Sequence, residues 1–95
     1  MFYQRNEIYV LRKIHDTYFF INITDKYNDD KCQLIETNEV GAFVWAQLEQ
    51  PRAIKEIVYS LIKIVNEEVD FKEVYEDIRI YLEEHNSKGI VYRGA

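Results

Sequence analysis

Five strand-like residues, Gln33-Leu34-Ile35-Glu36-Thr37, run without an intervening loop into Asn38-Glu39-Val40-Gly41-Ala42-Phe43-Val44-Trp45. No other feature constrains the fold of this chain as much. Asn38 is suited to cap a helix, its side chain accepting a backbone N–H two or three residues on. Val40, Phe43, Val44 and Leu48 then recur at helical spacing. A strand therefore passes almost directly into a helix.

Upstream of this junction the pattern is that of strands. Tyr9 to Ile14 alternates, with Tyr9, Leu11 and Lys13 on one face and Val10, Arg12 and Ile14 on the other, and His15-Asp16-Thr17 is a short polar connection. Tyr18 to Ile23 is nearly continuous in aromatic and β-branched residues, which predicts a central strand covered on much of both faces. Thr24 to Lys31 reads as a solvated loop, and Cys32 to Thr37 as a third, shorter strand.

Downstream, the period changes to that of helices. The first runs from Asn38 to about Gln50 and is ended by Pro51, which can itself occupy the first turn of the next helix. Ile54, Ile57, Val58, Leu61, Ile62 and Val65 then form an unbroken apolar stripe at spacings of three and four. Asp70 with Glu73 has capping-box-like spacing and opens a third helix that turns Phe71, Val74, Ile78, Tyr81 and Leu82 toward a core. Asn86 to Gly89 ends it, and Ile90-Val91-Tyr92 follows as a short extended segment. Phe19, Phe20, Phe43, Trp45 and Tyr81 lie on apolar periodicities and are expected in the core.

Ninety-five residues leave room for one core, so residues 1–95 read as a single domain with its centre at about 9–91. A 47% hydrophobic content with three Gly and one Pro supplies a packed interior and little linker. The formal charge of -5 opposes nucleic acid and anionic lipid as partners. A recognition helix would have to lie between Asp70 and Glu84, where Lys72 and Arg79 face six carboxylates. One cysteine, Cys32, forms no internal disulfide, and no stretch has the length or apolarity of a membrane span, so a cytoplasmic location is expected.

Chemistry is poorly provided for. The soft and imidazole ligands are His15, Cys32 and His85, no two at a recognised metal-binding spacing, and no metal or cofactor is expected. Cys32 has only Lys31 beside it to lower its pKa, and reads as a small apolar side chain. The carboxylate pairs lack a Gly-rich loop or a His partner that would set up acid/base work. The reading is therefore of a protein that is not an enzyme.

Tyr9-Val10-Leu11-Arg12, Asn38 to Trp45, Ile57-Val58, Asp77-Ile78 and Tyr81-Leu82 before Gly89-Ile90-Val91 stand in an order and spacing that resembles the PqqD-like family, the recognition elements for precursors of ribosomally made, post-translationally modified peptides. The likeness covers about Tyr9 to Val91. Thr37 departs from it where such domains usually carry Leu before the Asn, and His85 where a Leu is common. The resemblance implies an α+β, winged-helix-like fold, with a three-stranded antiparallel sheet followed by three helices and the third helix beside the third strand.

It also implies a function: a non-catalytic peptide chaperone that binds the leader segment of a precursor peptide by strand addition and presents it to a modifying enzyme, often a radical S-adenosylmethionine maturase. The guest is expected along Cys32, Gln33, Leu34, Ile35 and Glu36, with Tyr75 and Arg79 of the third helix across the groove. Alternate residues of such an edge turn their N–H groups outward, and sequence leaves open which set does so. The alternative is an acidic winged-helix regulatory or protein-interaction domain.

Overall fold

A computed structural model describes residues 1–25, 34–65 and 68–94. The elements are β1 (Phe2–Arg5), β2 (Tyr9–Ile14), β3 (Thr17–Asn22), β4 (Leu34–Thr37), α1 (Glu39–Gln47), α2 (Ile54–Val65), α3 (Phe71–Ser87) and β5 (Val91–Gly94), with a short 3-10 turn at Ile23–Asp25. β2, β3 and β4 form an antiparallel sheet in that order, and three helices follow it, as the resemblance implies.

The β2–β3 hairpin turns on His15 and Asp16, with Ile14 opposite Thr17 and His15 in the left-handed region at φ 56. On the helix-facing side of the sheet, Leu11, Phe20 and Ile35 form one cross-strand row. Phe20 is buried edge-on against Trp45 of α1, ring centroids 4.9 Å apart. Ile57 and Val58 of α2 and Ile78 and Leu82 of α3 complete the core. Of the five aromatics expected inside, Phe20 and Trp45 are buried; Phe43 and Tyr81 are half-buried. Phe19 is half-buried on the opposite face of the sheet, because its neighbour Phe20 points into the core and strand residues alternate.

Local chemistry explains the helix ends. Asn38 Oδ1 accepts the Gly41 N–H at 2.8 Å, and Asp70 Oδ1 accepts the Lys72 N–H at 2.9 Å. α3 ends in a Schellman motif: the Ile90 N–H reaches the His85 carbonyl at 2.9 Å and the Gly89 N–H the Asn86 carbonyl at 3.1 Å. Gly89 sits at φ 77, where a side chain would be strained.

β3 lies one residue earlier than expected, and three larger differences separate the structure from the sequence reading. α1 stops at Gln47 rather than Gln50, because Leu48 turns its N–H onto the Trp45 carbonyl and Arg52 Nε takes the Gln47 carbonyl at 2.8 Å. Pro51 lies outside α2, since Arg52 exchanges both backbone bonds with Tyr3, at 2.8 and 2.9 Å, and holds the connection extended. The third is the second sheet, β1 paired antiparallel with β5, which the sequence reading did not anticipate. It buries Tyr3, whose hydroxyl donates to Glu83 of α3. Asn6 ties this sheet to the rest: its N–H donates to the Ile90 carbonyl at 2.8 Å and its Nδ2 to the Gly89 carbonyl at 2.9 Å.

Candidate functional site

Among the described residues, β4 is an edge strand of the three-stranded sheet. The register determines which of its main-chain groups are free. A two-residue hairpin loop is flanked by a hydrogen-bonded pair, so Ile14–Thr17 is one, and every second pair follows. The Ile23 N–H bond to the Ile8 carbonyl, 2.8 Å, continues the same phase. Thr17, Phe19 and Ile21 therefore bond to β2, leaving Tyr18 and Phe20 to bond to Thr37 and Ile35 of β4. Leu34 and Glu36 consequently turn their N–H and C=O groups to the open edge.

A depression of about 410 Å³ lies between this edge and the C-terminal half of α3. It is lined by Glu36, Thr37 and Asn38 on one side and by Tyr81, Glu84, His85 and Lys88 on the other. The two walls are bonded together: Thr37 Oγ1 and the Tyr81 hydroxyl are 2.8 Å apart. Burial pushes the Tyr81 phenol above its ordinary pKa, so it stays a neutral hydroxyl near pH 7.

His85 forms the deepest polar part of this wall. Its ring stacks on Tyr81 with centroids 3.9 Å apart and meets Phe20 edge-on at 5.7 Å. Nδ1 lies 2.8 Å from the Tyr81 carbonyl, which can only accept, so Nδ1 carries the proton. Nε2 is then a buried lone pair without a partner among the described residues. Burial lowers the His85 pKa, Lys88 adds to that, and the Tyr81 carbonyl and Glu84 partly oppose it. The imidazole is neutral.

Of the expected site residues, Cys32 and Gln33 lie outside the described residues. Leu34 is exposed on the outer face of the sheet, Ile35 packs against the core, and Glu36 borders the depression. The structure does not bring Tyr75 and Arg79 to them. Tyr75 lines a different depression with Met1, Tyr3, Ala53, Ile54 and Lys55. Arg79 is ion-paired with Glu76. At about 100° per residue, Tyr75 and Arg79 sit roughly 120° and 160° around α3 from Tyr81. The residues that face β4 instead are Tyr81, Glu84, His85 and Lys88. The sequence carried a signal for two members of this site, since Thr37 and His85 are the two departures from the family pattern, and both touch Tyr81.

The described lining of the depression offers main-chain donors and acceptors, a hydroxyl pair and rim charges of both signs. Among the described residues no group of His, Cys, Asp and Glu could hold a metal ion, and no helix is long and apolar enough to cross a membrane.

The family model described as Coenzyme PQQ synthesis protein D (PqqD) matches residues 27–91. The chain belongs to the PqqD family. No curated protein sequence matches it. Among solved structures, that of TbiB1 in complex with the TbiA(beta) leader peptide is similar, with a TM-score of 0.70 at 21% identity over 97% of this chain and 98% of that one. At that identity the likeness establishes the fold. The PqqD match spans β4, all three helices and the depression between β4 and α3; the structural match extends to the β2–β3 hairpin and to the β1–β5 sheet of this PqqD-family chain.

Proposed function

We propose that this PqqD-family chain is a non-catalytic, cytoplasmic peptide chaperone that binds the leader segment of a ribosomally made precursor peptide as an added strand on β4 and presents it to a modifying enzyme. The observation that carries this reading is the free edge of β4, where Leu34 and Glu36 turn their main-chain groups outward over the α3 depression. A guest strand paired there gains about 0.5 to 1.5 kcal/mol net per hydrogen bond without regard to its sequence. Its alternate side chains fall beside Ile35 and Thr37 and meet Tyr81, Glu84, His85 and Lys88, which supply selectivity. Cys32 and Gln33 extend the edge in this reading. The similar structure of TbiB1 holds a leader peptide, which supports it. The domain contributes effective concentration, with the bond chemistry left to the enzyme.

The test starts from the neighbouring genes: where one encodes a short precursor, its leader is synthesised and titrated into labelled protein, and amide chemical shifts are followed. Shifts should concentrate on Leu34 to Thr37 and Tyr81 to Lys88. Shifts confined to β2 or α2 would remove the site, and an unchanged spectrum at millimolar peptide would remove the function.

A further inference from the structure

The helices cover one face of the β2–β3–β4 sheet, and among the described residues no element covers the other face, although it too is apolar. Alternation places Val10, Ile14, Phe19, Ile21 and Leu34 on it. Ile14 is 41% exposed and Leu34 51%. Ile8 and Ile23, joined by their backbone bond, continue the patch and are also exposed. A contiguous apolar sheet face of this kind marks an interaction surface.

Its charges are arranged in a particular way. Among the described residues of the three strands, the face carries two charged side chains, Arg12 and Glu36, and the register places both opposite Phe19, one on each side. An axis drawn along β3 through Phe19 therefore relates a cation on one flank to an anion on the other. We propose that this face packs against the same face of a second copy of the chain, about that two-fold axis. Rotation about it lays β2 of one copy over β4 of the other, with Arg12 against Glu36 of the second copy and the reverse pair made by symmetry. The flanking row maps onto itself in the same way: Val10 lies over Leu34, and Ile21 over Ile21. Aligned sheets pack about 10 Å apart, within reach of an Arg–Glu pair.

Charge selects the second copy as occupant. A chain of net charge -5 repels its own approach through most of its surface, whereas this face carries one charge of each sign in a self-complementary order. Packing through the face leaves the β4 edge free, so this inference stands independently of peptide binding.

Sedimentation equilibrium of the wild-type chain, Arg12→Glu, Glu36→Arg and the double charge swap tests it, with circular dichroism confirming that each variant is folded. The wild type should be a dimer, each single variant should dissociate about tenfold more readily or worse, and the double swap should recover most of the loss. A wild type that stays monomeric to about 1 mM overturns the proposal. A dimer indifferent to the single changes, or a double swap no better than the singles, overturns it equally.

Discussion

The hydroxyls of Thr37 and Tyr81 meet at 2.8 Å directly over Gly41, so that the last residue of β4, the first turn of α1 and the middle of α3 share one contact. A Cβ at position 41 would fall inside the van der Waals radii of both hydroxyl oxygens. Glycine is required there for space, since its backbone is ordinary helix.

Gly41→Ala should accordingly cost on the order of 1 to 3 kcal/mol, the range for overpacking a close contact, against the small gain a helical Ala would otherwise bring. Urea denaturation gives the sign: a stabilised Gly41→Ala protein would mean that β4 and α3 separate freely. Thr37→Val, which keeps the shape and removes the bond, should cost less than the Gly41 change.

The open edge can be probed with proline. Glu36→Pro removes an N–H that faces outward and should weaken leader binding more than it lowers the melting temperature. Ile35→Pro removes the N–H bonded to Phe20 and should destabilise the fold itself. Equal binding loss with equal destabilisation for both would show that the assigned register is wrong.

How much of this was readable beforehand depends on the range of the interaction. Alternation in Tyr9 to Ile14 and the stripe from Ile54 to Val65 were legible because strand and helix periods are local. β1 was not, because Phe2-Tyr3-Gln4-Arg5 is too short for periodicity to register and its partner β5 lies at the far end of the chain. The short strand over Leu34 to Glu36 was recognisable, yet the rotation of α3 was not. Which helical face meets β4 is set by Tyr81 reaching Thr37 and by Ile78 and Leu82 filling the core, and these tertiary contacts turn Tyr75 and Arg79 elsewhere.

His85 should make the stability of the domain depend on pH. Its pKa is lowered in the folded state, so between that value and about 6.5 the unfolded chain binds a proton that the native one refuses. Stability is complete above about 6.5 and declines as pH falls below it. The melting temperature should drop between pH 7 and 5.5, and His85→Leu, which also removes the unpartnered Nε2, should flatten that slope. A wild type and variant with parallel pH profiles would refute this.

Trp45 is a structural residue in this fold, edge-on to Phe20 and covered from outside by the Arg5 guanidinium 5.5 Å from its ring. Trp45→Ala should cost about 3 to 5 kcal/mol, a large part of what a domain of this size possesses. An unchanged melting temperature accompanied by loss of peptide binding would reverse that assignment.

The pairing of Phe2 with Gly94 brings the two ends of the described chain side by side, on a sheet separate from the one that bears the β4 edge. Neighbouring ends make the domain portable. A short Gly/Ser bridge could join them, new ends could be opened at the exposed His15-Asp16 turn, or the whole unit could be spliced into a surface loop of a host protein. When the unit is spliced into a host through its own ends, the covalent attachment enters on the β1–β5 side, so a carrier could be exchanged without passing its linker across the groove between β4 and α3.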